Sequence, residues 1–360
     1  MGMTTKISKT NRDRARGCLL GLFIGDNLGG LVEFLSAEAI ASKHPEGVTE
    51  MQTGGGCWRI AAGQPTDDGE LALSLAHSIL VNDGYDPEMA LTLYEQWLNS
   101  RPFDCGNTIR SGICGNLSYD SQANGALMRL GPLPVFGAFL ADDVADLAAA
   151  DACVTHPNLV CQVANRVFAD GIAYAIREGV SRELVYTHMV AHAHRLLHDD
   201  GIEEAKVILD ALVDGAGGCP EDASHLMGWV RHAVQIAAHE LLHAEDFRSG
   251  VIHAVAQGGD TDTNGAITGM LLGACFGQSQ IPGDWVETIA NSQSTRESGT
   301  AHPRPHWLWS CQAIDLADRL LELGADLAGA MRCIETEQKE ATPTQTIVGN
   351  GNIQIGGSVK

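Results

Sequence analysis

Apolar residues recur at intervals of three and four along most of the chain, which is the spacing of one face of an α-helix. The pattern is clear at residues 71–80, 163–176 and 230–237. Few segments alternate apolar and polar positions with β-branched residues, the pattern typical of strands. The spacing therefore predicts an all-α protein whose amphipathic helices pack their apolar faces together.

The helical pattern continues from residue 14 to residue 333 without a linker rich in Pro or Ser and without a repeat of solenoid period. Glycines are interpreted as marking the joints between helices. We predict one large all-helical domain at 14–333. A flexible basic arm at 1–13 precedes it, and a polar tail at 334–360 follows.

The tail ends in a β-like segment around Asn350-Gly351, a dipeptide typical of hairpin turns. Two interpretations are open. The tail is either disordered or self-associating, since β-branched residues at low charge favour stacked strands. Residues 353–356, Ile-Gln-Ile-Gly, resemble the tetrad of amyloid-forming signalling motifs of the RHIM type.

Composition is that of a globular protein, with 44% hydrophobic and 19% charged residues in 360. The net charge of −22 argues against a nucleic-acid partner. No apolar stretch approaches the roughly 20 residues of a membrane helix, and the N-terminus lacks the apolar region of a signal peptide. With ten scattered cysteines, these features predict a cytoplasmic protein with reduced thiols and no membrane contact.

Two acidic clusters stand at the starts of predicted helices, and each combines carboxylates with a threonine hydroxyl. Helix capping explains one such residue per helix, but not two carboxylates and a hydroxyl at both places. If the two helix starts face each other, four carboxylates converge and repel unless cations lie among them. The six residues concerned are Thr66, Asp67, Asp68, Asp260, Asp262 and Thr263.

Oxygen ligands of this kind favour Mg²⁺, Mn²⁺ or Ca²⁺ over zinc. Two ions could share the four carboxylates and keep positions open for the oxygens of a substrate. Four-residue spacing also pairs histidines on one helix face, but we interpret these as partly exposed helix residues rather than zinc ligands. They are His188, His192, His194 and His198, His239 and His243, and His302 and His306.

Taken in order, several motifs resemble those of the ADP-ribosylglycohydrolase family over residues 14–330. Besides the two acidic clusters, they are Arg16 to Gly21 with Gly25-Asp26, Gly29 and Val32-Glu33-Phe34; Phe103-Asp104-Cys105-Gly106-Asn107-Thr108; Asn124-Gly125-Ala126-Leu127-Met128-Arg129; and Thr155-His156. The resemblance implies an all-α orthogonal bundle with a binuclear Mg²⁺ centre, in which Mn²⁺ can replace Mg²⁺. The metal ligands it implies are the six residues of the two clusters. Gly69 departs from the family pattern, where Thr or Ser is common.

The resemblance also implies roles for individual residues. Glu33 is the first candidate for the catalytic group and Asp104 the second, the latter in a loop typical of enzymes for arginine-linked ADP-ribose. From the residues alone, Glu33 could be a helix-end charge and Asp104 an Asx-turn. The substrate-binding candidates are Gly106, Asn107, Asn124, Gly125, His156, Gly258 and Gly259. Trp307 and Trp309 are interpreted as part of a packed loop.

We therefore predict a Mg²⁺-dependent hydrolase that removes ADP-ribose from modified proteins, from arginine in the first instance. Such an enzyme would serve as an immunity or reversal factor against an ADP-ribosyltransferase toxin. One alternative is a binding protein that occludes a transferase active site with its N-terminal arm, since the first sixteen residues of the chain carry a charge of +4. Another is a hydrolase of serine-linked or small-molecule ADP-ribose conjugates. A monomer is expected.

Overall fold

The computed structural model describes residues 6–140 and 143–341, with the backbone alone described at 334–341. This part of the chain contains fifteen α-helices and, apart from three isolated bridges, no paired strands. The all-α prediction is confirmed. The helices are α1 Lys9–Gly30, α2 Ala37–Lys43, α3 Asp67–Val81, α4 Pro87–Asn99, α5 Asn107–Ile113, α6 Pro132–Phe136, α7 Asp143–Thr155, α8 Leu159–Glu178, α9 Arg182–His198, α10 Ala205–Gly217, α11 Val230–His243, α12 Phe247–Ala256, α13 Thr261–Phe276, α14 Gly283–Ala290 and α15 Ala313–Ala341.

The centre of the bundle is an antiparallel pair formed by α1 and α13, whose backbones touch from Gly17 to Gly29 of α1. Glycines spaced by four residues make this approach possible, since a Cβ at each would collide with backbone of the other helix. The interpretation that glycines lie at joints is therefore wrong for these helices. The contacting glycines are Gly17, Gly21, Gly25 and Gly29 on α1 and Gly265, Gly269 and Gly273 on α13.

Helix α1 also positions the start of α3. The buried carboxylate of Asp26 accepts hydrogen bonds from the backbone N–H of Thr66 at 3.0 Å and of Gly69 at 3.0 Å. The side-chain amide of Asn27 donates to the carbonyls of Ala61 and Gln64, in the loop that leads into α3. One helix therefore holds the beginnings of both α3 and α13, which carry the two acidic clusters.

The N-terminal boundary differs from the predicted one. Helix α1 begins at Lys9, five residues before the predicted domain start, with Ser8 as its cap. Arg12 and Arg16 both form ion pairs with Asp318 on α15. The second half of the predicted arm is thus helical and attached to the body of the protein.

At the other end, α15 continues through the predicted boundary at 333 to Ala341. The predicted β-like segment at 347–355 lies outside the described residues. All ten cysteines are free thiols, and those at 18, 161 and 275 are buried in the core. No helix in the described ranges combines the length and apolarity required to cross a membrane.

Candidate active site

A cavity of about 360 Å³ opens where the starts of α3, α5 and α13 meet the loop after α1. Five carboxylates and a threonine hydroxyl from the sequence-predicted set line it: Glu33, Asp67, Asp104, Asp260, Asp262 and Thr263. The other lining residues are Phe34, Cys105, Gly106, Asn107, Thr108, Ile109, Ala123, Asn124, Gly125, Met128, His156, Met227 and Gly228. The two acidic clusters therefore do converge, as their sequence predicted.

Helix capping does not account for these clusters. Thr66 occupies the N-cap of α3 and Asp260 that of α13, yet neither side chain makes a capping hydrogen bond to its own helix. Thr66 Oγ1 instead donates to Asp68 Oδ2 at 3.0 Å, and Asp260 Oδ2 accepts from the side-chain amide of Asn124 at 2.7 Å. The side-chain oxygens of Thr66 and Asp260 therefore bond to neighbouring side chains and not to the backbone of their own helices.

The start of α3 contributes two carboxylates in different situations. Asp67 lines the cavity, and its Oδ2 accepts a hydrogen bond from the backbone N–H of Gly106 at 3.1 Å. Asp68 lies deeper, and its Oδ1 is buried without a hydrogen-bond partner. A buried carboxylate oxygen left unpaired is costly, so this atom is a place where a cation would fit.

On the opposite side, Asp262 Oδ1 accepts from the backbone N–H of Thr263 at 2.9 Å, which orients that carboxylate. Oxygens of Glu33, Asp104 and Asp262 lie within 4.8 Å of one another. Glu33 is held there by the indole N–H of Trp58, which donates to its Oε2 at 2.6 Å. Glu33 and Asp104 are thus cavity carboxylates rather than an exposed helix-end charge and an isolated turn residue.

Burial raises the pKa of every carboxyl in the group, and neighbouring carboxylates raise it further for all of them except Asp260. The pKa of Asp67 rises to about 6, that of Glu33 to about 8 and that of Asp104 to about 10. For Asp68 and Asp262 the pKa is well above the ordinary range for the same reasons. The cavity lining contains no Lys or Arg, so protons or cations must offset this charge.

The donor set suits a hard cation. At the two helix starts it consists of carboxylate and hydroxyl oxygens, the ligands that Mg²⁺ and Mn²⁺ prefer, while Cys105 and His156 line the same cavity from other segments. Asp68 Oδ1 supplies an orphaned oxygen. Thr66, Asp67, Asp68, Asp260, Asp262 and Thr263 therefore fit the metal-binding role that the sequence predicts.

Five of the seven predicted substrate-binding residues line the cavity: Gly106, Asn107, Asn124, Gly125 and His156. His156 is fully buried, with Nδ1 hydrogen-bonded to Thr155 Oγ1 at 2.7 Å and Nε2 without a partner. Burial, followed by the charge of Arg129, lowers the pKa of His156 to about 3. The ring is therefore neutral and offers one free nitrogen to a bound molecule.

Gly258 and Gly259 have a different position. Neither lines the cavity, and both have positive φ in a tight loop against residues 34–37. Gly258 N–H donates to the carbonyl of Val255, and Gly259 N–H donates to that of Leu35. Their observed contacts support the loop after α1, which carries Glu33, so their predicted contact with substrate stays a prediction.

Trp307 and Trp309 also lie outside the cavity lining. The carbonyl of Trp307 bonds to His77 Nε2 at 3.1 Å, and the indole of Trp309 donates to the carbonyl of Arg304 at 2.8 Å. These contacts match the packed loop that the sequence indicates.

Two supporting residues were not assigned from the sequence. Asp26 organises the start of α3, and its signal is a carboxylate inside the apolar run Leu19–Leu28. Trp58 orients Glu33 although the two residues are 25 positions apart in the sequence, and no local pattern indicates that contact. Both act by placing the residues that face the cavity.

Fold and site together define an all-α enzyme with a buried, acidic, oxygen-rich centre. The family model for ADP-ribosylglycohydrolase matches residues 7–328. The chain is 30% identical over 287 residues to the ADP-ribosyl-[dinitrogen reductase] glycohydrolase of Rhodospirillum rubrum, covering 77% of this chain and 90% of that protein. It is 28% identical to the ADP-ribosylarginine hydrolase Tri1 of Pseudomonas putida, covering 78% and 75%.

A solved structure described as an ADP-ribosylglycohydrolase-related protein complex superimposes with a TM-score of 0.71 and 29% identity, covering 88% of this chain and 100% of that one. The chain therefore belongs to the ADP-ribosylglycohydrolase family. Its enzyme class is that of the ADP-ribosyl glycohydrolases, and the predicted bundle fold is confirmed.

Proposed function

We propose that this enzyme hydrolyses the bond between ADP-ribose and an arginine side chain of a modified protein, with two Mg²⁺ ions in the acidic centre. The observation that carries the proposal is the convergence of Glu33, Asp104 and Asp262 in one cavity, within 4.8 Å of one another. This arrangement supports a site in which acid–base groups would act beside oxygen ligands for a cation.

The metal ligands in this proposal are Thr66, Asp67, Asp68, Asp260, Asp262 and Thr263. When bound, such ions would hold the ribose hydroxyls and polarise the sugar toward bond cleavage. Mn²⁺ has the same ligand preference and would substitute for Mg²⁺. The unpaired Oδ1 of Asp68 and the lack of basic side chains in the cavity lining support this assignment.

Glu33 is the proposed acid–base residue. Hydrolysis breaks the bond from C1″ of the ribose to a guanidine nitrogen, while the oxygen of a water molecule bonds to C1″. One proton of that water moves to the Glu33 carboxylate, and Glu33 passes a proton on to the leaving guanidine nitrogen, so that the carboxylate is restored at the end of the step. Trp58 holds Glu33 in one orientation by its hydrogen bond to Oε2, which leaves Oε1 for proton transfer.

Asp104 is the residue that supports arginine as the linked amino acid. A guanidinium leaving group is cationic and planar, and carboxylates are its best partners. Asp104 lines the cavity close to Glu33, in a lining without a competing Lys or Arg. A serine-linked substrate has no such positive charge and would gain less from this carboxylate.

Hydrolysis assays on matched substrates test the proposal. Proteins carrying arginine-, serine- or acetyl-linked ADP-ribose are incubated with the enzyme, in Mg²⁺ or in EDTA, and released ADP-ribose is measured. We expect release from arginine only when Mg²⁺ is present. Asp104→Asn should reduce the ratio of hydrolysis rates on arginine-linked and serine-linked substrates at least about tenfold, whereas the exposed control Asp326→Asn should leave that ratio unchanged. Preferential cleavage of serine linkages, or full activity in EDTA, would contradict the proposal.

A role as an immunity or reversal factor against an ADP-ribosyltransferase follows if arginine is the target, because the enzyme would then undo that transferase's product. The alternative role of the arm in docking to a transferase stays a prediction. Three of the basic residues on which it depends are used within the fold: Arg12 and Arg16 pair with Asp318, and Arg14 donates to the carbonyls of Ala175 and Val180.

A further inference from the structure

Four potential metal ligands from three separate segments converge away from the acidic cavity. Cys219 lies in the loop after α10, His239 and Glu240 lie on α11, and His253 lies on α12. One donor atom of each lies within 4.8 Å of a donor atom of every other member. None of the four lines the active-site cavity, so the group is separate from the centre described above.

The sequence interpretation of His239 and His243 as ordinary helix residues overlooked the carboxylate between them. Residues 239–243, His-Glu-Leu-Leu-His, have the H-E-x-x-H spacing of zinc metalloproteases. The structure does not reproduce that arrangement, because His243 Nε2 bonds to the carbonyl of Ala216 at 3.0 Å. Glu240 itself is one of the converging ligands, so a protease site is not formed.

Hydrogen bonds already orient the ligands. His239 Nδ1 bonds to the carbonyl of Gly215 at 3.0 Å, which protonates Nδ1 and leaves the lone pair on Nε2. A backbone carbonyl commonly fixes zinc-binding histidines in this way. His253 Nδ1 and Glu240 Oε1 share a hydrogen bond. A proton therefore lies between two potential metal ligands, at a place where a cation could bind to both.

We propose that Cys219, His239, Glu240 and His253 form a structural Zn²⁺ site. One thiolate, two imidazoles and one carboxylate are a borderline-soft set that suits zinc and not Mg²⁺. In a tetrahedral zinc site, ligand atoms lie roughly 3.3–3.8 Å apart, given Zn–N near 2.0 Å and Zn–S near 2.3 Å. Donor atoms already within 4.8 Å would close to that spacing by small side-chain rotations.

Binding would release two protons, the thiol proton of Cys219 and the proton shared by His253 and Glu240. The ion has a route to the site, because the Glu240 side chain is 3% exposed but that of His253 is 52% exposed. Four protein ligands leave no open position, which is the arrangement of a structural rather than a catalytic zinc site.

The site would have a defined mechanical effect. Cys219 begins the loop that leads to Met227 and Gly228, two residues of the active-site lining. The Gly228 end of that loop is held by the hydrogen bond from Asn124 N–H to the Gly228 carbonyl, and at its start the Gln235 side chain of α11 donates to the carbonyl of Gly218 at 2.9 Å. A Zn²⁺ ion would strengthen the attachment of this start to α11 and would also connect it to α12.

Cobalt is the spectroscopic probe for this site. The reduced full-length protein is titrated with Co²⁺ in excess Mg²⁺, and the thiolate-to-cobalt charge-transfer band is followed, with Zn²⁺ added last to displace it. We expect one Co²⁺ per chain, tighter at higher pH. Cys219→Ser should remove the band, and His253→Gln, a half-exposed position, should weaken binding by more than about tenfold.

Two variants serve as controls. Cys57→Ser removes the thiol next to Glu33 in the active site, and Cys311→Ser removes a partly buried thiol elsewhere; both should keep the band. A band that survives Cys219→Ser, a band lost in Cys57→Ser, or no band at all would overturn the proposal. Mg²⁺-dependent hydrolysis measured on the same samples reports on the proposed function separately.

Discussion

Gly21 of α1 lies directly against the backbone of Gly269 in α13. A Cβ on Gly21 would lie 2.7 Å from the carbonyl carbon of Gly269 and closer still to its oxygen. Since neither atom belongs to a flexible side chain, the two helices would have to separate to admit even a methyl group. This contact therefore sets the distance between the helix that supports Glu33 and α13, the helix whose N-cap is Asp260.

Replacing Gly21 by Ala should destabilise the protein by about 2–3 kcal/mol or more, because the methyl group forces the central helices apart. Gly217→Ala is the matched control, since a Cβ there meets nothing within 4 Å and Ala is the better helix former. It should be neutral or stabilising by up to about 1 kcal/mol. Urea unfolding of both variants checks this, and equal midpoints would refute the packing argument.

Replacing Asp67 or Asp260 by Asn should abolish hydrolysis and weaken Mg²⁺ binding by more than about tenfold, because each removes a proposed ligand. The metal-free Asp67→Asn protein should nevertheless be more stable than wild type at pH 8, since one of several repelling carboxylates is gone. Melting temperatures with and without Mg²⁺ test both statements. Asp326→Asn, an exposed position on α15, is the control and should respond to Mg²⁺ like wild type.

Replacing Glu33 by Gln should lower kcat by roughly 10²–10⁴ while the stabilisation by Mg²⁺ persists, because the proposed acid–base group is lost but the proposed metal ligands remain. Trp58→Phe should lower kcat less, since it removes only the 2.6 Å hydrogen bond that orients Glu33. Single-turnover hydrolysis and Mg²⁺ thermal shifts separate these effects. If Glu33→Gln keeps full activity, Glu33 is not the acid–base residue.

The metal-free protein should lose stability as pH rises from about 5.5 to 8. Burial raises the pKa of Asp67 to about 6, of Asp26 to about 7 and of Glu33 to about 8. These groups hold protons in the folded state that the unfolded chain has already released, so unfolding becomes more favourable with pH in this window.

Mg²⁺ should counteract that trend, because binding displaces the same protons and strengthens as they become easier to remove. Melting temperatures at half-unit pH intervals, in EDTA and in Mg²⁺, are the measurement. The difference between the two curves should widen toward pH 8. A constant difference would mean that metal binding is not linked to these carboxyls.

The helices and the two acidic clusters were predictable because both depend on local features. Apolar spacing within a segment determines which face is buried, and a threonine with two carboxylates at a helix start is visible without knowing its neighbours. Asp104 shows the limit of prediction from local sequence. The residues around it suggest only an Asx-turn, and the family motif was needed to assign Asp104 to the active site, where it lines the cavity.

Contacts between distant segments could not be predicted in the same way. The four-residue spacing of Gly17, Gly21 and Gly25 is visible in the sequence, but its meaning depends on matching glycines at least 240 positions away. Trp58 and Glu33 likewise meet only because the loops after α1 and before α3 fold together. The cluster around Cys219 joins three segments whose order in the chain carries no indication of their convergence.

The pairing of α1 with α13 has a consequence for how the enzyme is made. A ribosome completes α1 early, yet its glycine-lined face has no partner until residues 261–276 have emerged. Until then, Glu33 and Asp67 lack the opposing carboxylates that form the acidic centre. The nascent chain therefore cannot acquire a complete catalytic site before about three quarters of its length has been synthesised, and a product truncated before α13 would be inactive whatever structure it retained.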